Sequence, residues 1–287
     1  MIPIYKKELR TYFTTVSGYI FLTLFLLLVA IFFVMMNVFG RSPGFHMTIS
    51  QSTILLFIMI PTLTMRLFSE EAKNKTDQLL YTSPITILHI VTGKFFAAFS
   101  LFLAAISATV LFPFLIRPYG SLPVTQILGT YIGFMLLGAC CIAVGLFISA
   151  LTDNQIIAAV GAFAANFLLF IVESVAIIMP TTTFASLIFV ALVIIGIAGI
   201  LYYSTKSILV SVVTGSIGVI IAVGLYFYNN LIYDGIIVRS LLWISLFSRF
   251  HTFSFGILNL SNIVFYMSFC ILFIFMTINI LEKRRWR

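Results

Sequence analysis

The residues that could perform chemistry in this sequence are few and lie far apart. His46, His89 and His251 stand in three separate segments, so no His-Glu-x-x-His metal motif forms. The three cysteines fall within apolar stretches and lack the spacing of a zinc site or a disulfide framework. No carboxylate pair suits general acid–base catalysis. We therefore expect no metal site, no cofactor and no catalysis in this chain.

The sequence also lacks a phosphate-binding loop for nucleotides. Lys94 follows Gly93, as the motif requires, but Leu88 occupies the position of the first glycine and Phe95 follows the lysine. Any ATP hydrolysis coupled to this chain must therefore come from a partner.

Glu173 is the one acidic residue that we predict well inside an apolar stretch. An ionisable group in hydrocarbon is costly, so Glu173 is a candidate for contact with a substrate or a cation. The alternative is that its carboxylate reaches water, because it lies about two helical turns before Pro180.

The elements that must position these residues are membrane spans. The sequence is 62% hydrophobic and 8% charged, whereas a soluble domain carries about 25% charged residues. The net charge of +8 would suit nucleic acid only if the cations clustered on a solvated face. They lie instead in short gaps between apolar runs, so we expect an all-α integral membrane protein in a lipid bilayer and no nucleic-acid partner.

Crossing a hydrocarbon core of about 30 Å takes roughly 20 apolar residues in a helix, because lipid cannot satisfy backbone polar groups. The sequence offers about eight such stretches. They run from Ser17 to Phe39, Thr53 to Phe68, Phe95 to Ile116, Gln126 to Leu151, Ile156 to Met179, Phe184 to Tyr203, Ile208 to Tyr228 and Ile263 to Leu281.

The basic residues predict the orientation of the spans. Lysine and arginine favour the cytoplasmic side near span ends. Both termini are basic, with Lys6, Lys7 and Arg10 at one end and residues 283–287 at the other. An even number of spans places both termini on the same side, which we expect to be the cytoplasm. Most of the other lysines and arginines, including Lys94 before the third span, then also fall in cytoplasmic segments. Glycines such as Gly129, Gly133, Gly138, Gly145 and Gly161 are expected to mark close helix contacts.

One cytoplasmic segment has the composition of a short amphipathic helix over residues 69–84. Ser69 is a candidate N-cap, Glu70 and Glu71 suit the positive end of the helix dipole, and Glu71 and Lys75 form an i,i+4 pair. Pro84 would end the helix. The alternative is an ordinary solvated connection between two spans.

An extracytoplasmic segment, residues 230–262, combines apolar stretches with Arg239, Trp243, Arg249 and His251. Apolar runs near ten residues are too short to cross the bilayer. They favour re-entrant or interfacial helices, with a loop resting on the bilayer as the alternative.

The stretch from Met65 to Thr86, MRLFSEEAKNKTDQLLYTSPIT, resembles the signature cytoplasmic loop of ABC-2 type permeases. The pattern is an Arg, an acidic pair, a basic-Thr stretch, two leucines and a Ser-Pro. The resemblance is greatest to the gliding-motility and nitrous-oxide-maturation permeases, over roughly residues 1–178 and 238–287. That group commonly has six spans, so residues 181–229 would form an additional helical hairpin.

This resemblance implies that residues 69–84 form a coupling helix that contacts a separate ATPase subunit, and that residues 4–15 form an interfacial helix beside it. The implied contact residues are Glu70, Glu71, Lys73, Lys75, Thr76, Leu79, Leu80, Ser83 and Pro84.

We therefore expect one permease domain of an ATP-binding cassette transporter, in the bacterial cytoplasmic membrane and working as an exporter. Its implied partners are an ABC ATPase that holds ATP and magnesium, a second permease chain and an auxiliary periplasmic or membrane subunit. The alternatives are a secondary transporter or channel, which would have more charge in mid-span, and an intramembrane enzyme.

Overall fold

The computed structural model describes residues 1–76, 85–117 and 122–285, apart from the side chains of Ser204 and Thr205. Within these ranges the chain is nearly all helical and has no strand. The helices are α1 (Ile2–Thr14), α2 (Val16–Phe33), α3 (Phe45–Gln51), α4 (Leu55–Thr64), α5 (Ser69–Lys73), α6 (Ile87–Thr109), α7 (Leu111–Ile116), α8 (Val124–Leu151), α9 (Gln155–Ile178), α10 (Thr183–Thr205), α11 (Ile208–Tyr228), α12 (Ile236–Ile244), α13 (Leu246–Ser254) and α14 (Leu260–Arg285). A π-helical segment, Val34–Phe39, extends α2, and the 3-10 turns are Ser52–Ile54 and Asn230–Tyr233.

Eight helical segments among the described residues are long and apolar enough to cross a membrane, judged by length and composition. The predicted all-α membrane fold and its eight spans are thus confirmed. The N-terminal helix predicted over residues 4–15 is α1. The re-entrant character of residues 230–262 stays a prediction, and within that segment the structure has the short helices α12 and α13.

The second span begins earlier than its hydropathy predicts. We expected it to start at Thr53, but helical structure begins at Phe45 and continues through the 3-10 turn into α4. The hydroxyl of Ser52 donates to the Thr48 carbonyl oxygen at 2.7 Å, and Ser50 does the same to His46 at 2.9 Å. Such bonds satisfy hydroxyl groups within the helix, so polar residues extend a span that hydropathy alone makes short.

The third span also begins earlier than predicted, at Ile87 rather than Phe95. Lys94 therefore lies inside α6 and is fully buried, not in the solvated connection where its charge would ordinarily place it. A helix tolerates this charge only where the folded chain supplies partners for it.

The helices divide into two compact units, one of Met1–Leu169 with Leu246–Arg287 and one of Phe170–Ser245. Helix α8 is the centre of the first unit and packs against α3, α4, α6, α13 and α14. Its glycines allow this, as predicted: a Cβ on Gly138 would lie 2.1 Å from the Phe102 ring, and one on Gly145 would lie 2.3 Å from Thr64 Oγ1. These glycines thus bring α6 and α4 close to α8.

In the second unit, α10 and α11 pack against each other as a hairpin within the predicted range 181–229. The hydroxyl of Ser211 donates to the carbonyl oxygen of Ala198, and a Cβ on Gly215 would meet the Ala198 side chain at 3.2 Å. Small and hydroxyl side chains therefore hold this pair together.

Candidate functional site

A buried lysine lies where α1, α5 and α6 meet. Only 1% of the Lys94 side chain is exposed, and its Nζ is 3.1 Å from Glu8 Oε1 and 2.9 Å from Glu71 Oε2. The contact with Glu8 is a hydrogen bond, whereas that with Glu71 is an ion pair without hydrogen-bond alignment. Nζ also donates to the Leu67 carbonyl oxygen at 2.6 Å and lies over the Phe68 ring. The Lys94 ammonium group thus joins α6, to which it belongs, to α1 and to the start of α5.

Lys7 completes the group at its solvent edge. Its Nζ is 3.3 Å from Glu71 Oε1 and 3.8 Å from Glu8 Oε1, and its side chain is 62% exposed. We call Lys7, Glu8, Glu71 and Lys94 the Lys94 cluster. Its two cations balance its two carboxylates, as burial of charge requires.

Ser149 of α8 holds the chain where it turns from the second span into α5. Its Oγ accepts hydrogen bonds from the backbone N–H groups of Phe68 at 3.1 Å and Ser69 at 3.2 Å, and donates to the Met65 carbonyl oxygen at 3.1 Å. The prediction that Ser69 is the N-cap is wrong: α5 follows Phe68, and the Ser69 hydroxyl donates to Met65. A side chain distant in sequence satisfies the helix start instead.

Replacing Ser149 with alanine is expected to destabilise the protein by about 1–2 kcal/mol, because two backbone donors would be left buried without an acceptor. The measurement is thermal unfolding of the purified protein in detergent. Ser107→Ala is the matched control, since that exposed hydroxyl donates only to the Ala104 carbonyl of its own helix. Equal unfolding temperatures for the two variants would contradict the role given to Ser149.

Helix α5, which begins at Ser69, is shorter than predicted. It ends at Lys73, where the N–H of Thr76 bonds to the Glu71 carbonyl at 3.0 Å and the N–H of Lys75 bonds to Ala72 at 3.2 Å. This is a Schellman ending, with Lys75 in the left-handed region at φ 57°. Lys75 is therefore not one helical turn from Glu71, and the predicted pair between them is wrong: Glu71 pairs with Lys94 and Lys7.

Helix α1 is fixed along its length against other helices. The Tyr12 hydroxyl donates to the Leu63 carbonyl oxygen at 3.1 Å, and the hydroxyls of Tyr5 and Ser100 are 3.0 Å apart. Burial raises the pKa of Tyr12, with a further rise from Glu8 and an opposing effect of Arg66. Tyr12 thus stays protonated and keeps its donor.

The structure brings only some of the predicted contact residues together. Glu71 belongs to the Lys94 cluster, Glu70 lines a cleft beside it, and Lys73, Lys75 and Thr76 are exposed. The remaining four predicted residues lie outside the described part of the chain: Leu79, Leu80, Ser83 and Pro84.

Glu173 lies in the last two turns of α9, which ends at Ile178, and its side chain is half-buried. It belongs to the second unit and is not part of the Lys94 cluster. Its contact with substrate or a cation stays a prediction.

Sequence reasoning missed Glu8, Lys94 and Ser149 as site residues. A signal was present for one of them, because Lys94 stands between the apolar residues of a helix and so needs an acidic partner. No local pattern identifies Glu8 or Ser149, since both act on residues far away in the sequence.

A family model described as an ABC-2 family transporter protein matches residues 42–186, which is half of the chain. The match includes α5, α6 and Ser149. Comparison with curated proteins and with solved structures gives no match.

Proposed function

Because the chain belongs to the ABC-2 transporter family, we propose that it is the permease subunit of an exporter driven by a separate ATPase. Two copies, or one copy and a related permease, would enclose the pathway above two ATPase subunits. The signature at residues 65–86 favours the gliding-motility and nitrous-oxide-maturation group. The proposal extends to an auxiliary periplasmic or membrane subunit.

The Lys94 cluster is the single observation that carries this proposal. Residues 69–76 are exposed along one side, yet Glu71 joins them to α6 through a buried ion pair with Lys94 and to α1 through an ion pair with Lys7 at the solvent edge. Ser149 joins the same segment to α8. A push on this segment by a partner would therefore move three helices together instead of bending a loose connection.

The cluster also supports ATP hydrolysis on a partner. Lys94 follows Gly93 in the sequence, as a phosphate-loop lysine would. Its ammonium group, however, contacts Glu8, Glu71 and the Leu67 carbonyl oxygen. Two carboxylates neutralise this ammonium group, so its charge is not available to bind a phosphate. ATP and magnesium would bind to the ATPase subunit.

We place both termini and residues 69–84 on the cytoplasmic side of a bacterial cytoplasmic membrane. The support is the basic composition of both ends and the even number of spans. Closure of the ATPase pair would then act on residues 69–84 and shift α1, α6 and α8. Transport would be directed outward.

The test is co-purification of the permease with its ATPase subunit. Replacing both Glu71 and Leu80 with alanine should release the ATPase and abolish transport-linked hydrolysis, while the permease stays in the membrane. The control is Asp153→Asn, which removes an exposed ion pair with Arg284 at another turn of the proposed cytoplasmic face. This control should keep the ATPase bound.

Two outcomes would refute the proposal. One is retention of both ATPase binding and coupled hydrolysis in the Glu71, Leu80 double variant. The other is labelling of Lys75→Cys by an impermeant maleimide added to intact cells, because the segment would then face the exterior and a secondary transporter or channel would be favoured.

A further inference from the structure

Two clefts in the first unit adjoin each other beside α1. A cleft of about 490 Å³ lined mostly by polar and charged residues, which we call the polar cleft, lies along α1 and α5, and a largely apolar groove of about 360 Å³ lies between α2 and α4. Tyr12, Thr15, Ser17 and Arg66 line both. A polar site that continues into an apolar one suits a ligand with a headgroup and a chain.

Among the described residues, the charges that line the polar cleft sum to zero. Its cations are Lys7, Arg66 and Lys94, and its acids are Glu8, Glu70 and Glu71. Four of these six form the Lys94 cluster. Arg66 and Glu70 remain, and the ion pairs of the described residues include neither side chain. The described part of the cleft thus offers one positive and one negative group to a ligand.

The apolar groove has a buried floor and an exposed rim. Phe21, Met59 and Leu63 are buried, whereas Ile20 is 51% and Leu24 is 43% exposed. The groove follows α2 from Val16 to Leu24, which is about 12 Å at 1.5 Å per residue. This length accepts the first half of an acyl chain, and both walls belong to candidate spans that lipid would surround.

We propose that the two clefts together bind one phospholipid with a zwitterionic headgroup. The Arg66 guanidinium binds the phosphate oxygens, for which its planar donors are suited. The Glu70 carboxylate binds the headgroup ammonium, and the chain lies in the groove beside Ile20 and Leu24. A lipid with a purely anionic headgroup fits less well, because Glu70 repels it and the other cations of the cleft are already paired. This lipid site requires only that the protein lie in a bilayer, and it does not depend on the ATPase contact.

The test measures lipid retention by the full-length permease, purified without its ATPase because Glu70 is also a predicted ATPase contact. The protein is reconstituted in equal amounts of phosphatidylethanolamine and phosphatidylglycerol, extracted in mild detergent and analysed by native mass spectrometry. One retained phosphatidylethanolamine per chain is expected. Arg66→Gln should lower its retention by about ten-fold, which corresponds to one lost charged contact of about 1.4 kcal/mol.

Two further variants distinguish binding of the lipid headgroup from binding of the acyl chain. Glu70→Gln should reduce the preference for phosphatidylethanolamine over phosphatidylglycerol, and Leu24→Trp should fill the groove and displace either lipid. Arg10→Gln in α1 and Leu27→Trp in α2 are the controls, because both residues are exposed but line neither cleft. They should retain lipid as the unaltered protein does.

The proposal is overturned if both lipids are retained equally by the unaltered protein, or if Arg66→Gln and Leu24→Trp retain phosphatidylethanolamine as their controls do. If a partner protein and not a lipid is the ligand of the polar cleft, Arg66→Gln and Leu24→Trp would retain phosphatidylethanolamine as their controls do. Neither result bears on ATPase co-purification, so the two proposals fail separately.

Discussion

Replacing Lys94 with alanine is expected to destabilise the permease by about 3–5 kcal/mol, the usual cost of removing one partner from a buried ion pair. The carboxylates of Glu8 and Glu71, which are 13% and 15% exposed, would be left close together with only Lys7 at the solvent edge. The measurement is thermal unfolding in detergent, together with limited proteolysis between residues 66 and 85. The unfolding temperature should fall, and faster cleavage should show release of α1 and α5 from α6.

Lys7→Ala is the matched control for this variant. The side chain of Lys7 is 62% exposed, so its ion pairs are screened by water and are worth about 1 kcal/mol or less. A triple variant, Lys94→Met with Glu8→Gln and Glu71→Gln, should recover much of the lost stability because no buried charge remains unpaired and the charge of Lys7 is exposed to water. If Lys94→Ala unfolds at the same temperature as Lys7→Ala, the cluster does not hold these helices together.

Replacing Gly129 with alanine should separate α8 from the end of α13 and cost about 1–3 kcal/mol, as overpacking of a close contact does. A Cβ at this position would lie 2.5 Å from the Phe253 carbonyl oxygen and 3.0 Å from the Gly256 Cα. Both are backbone atoms, so no side chain can rotate away and one helix must move. Thermal unfolding and the yield of monodisperse protein measure the effect.

The same exchange at Gly224 provides the control, because no atom lies within 4 Å of a Cβ built there. Gly224→Ala should leave stability unchanged or raise it by up to about 1 kcal/mol, since alanine favours a helix more than glycine does. A loss as large as that of Gly129→Ala would mean that glycine acts through the helix backbone and not through contact with α13.

The span pattern could be predicted because the bilayer imposes it locally. Ile208–Tyr228 has the predicted bounds, and most other spans differ from prediction by a few residues. The large errors fall at Phe45 and Ile87, where polar or charged side chains lie inside helices. Hydropathy assigns such residues to solvent, whereas hydroxyls bonded to the preceding turn and a paired ammonium group can be buried.

The candidate site was predictable only in part. The signature around Glu71 directed attention to a segment that contributes one residue to the Lys94 cluster, but the predicted helix length and the predicted ion pair with Lys75 were wrong. Lys75 is only four residues from Glu71, yet the Schellman ending turns it away, while Glu8 and Lys94 are distant in sequence and adjacent in space. Local pairing rules apply within a continuous helix, and this helix stops at Lys73.

Composition and periodicity by themselves determined that this chain is a helical membrane protein with eight spans, because each apolar stretch must satisfy its own backbone in lipid. The glycines of α8 were likewise recognisable as contact positions. Tertiary structure alone decided that Lys94 is buried between Glu8 and Glu71, and that Ser149 holds the start of α5. The physical reason is that charge and hydrogen-bond compensation depends on which distant side chains the packed helices bring within about 3 Å of one another.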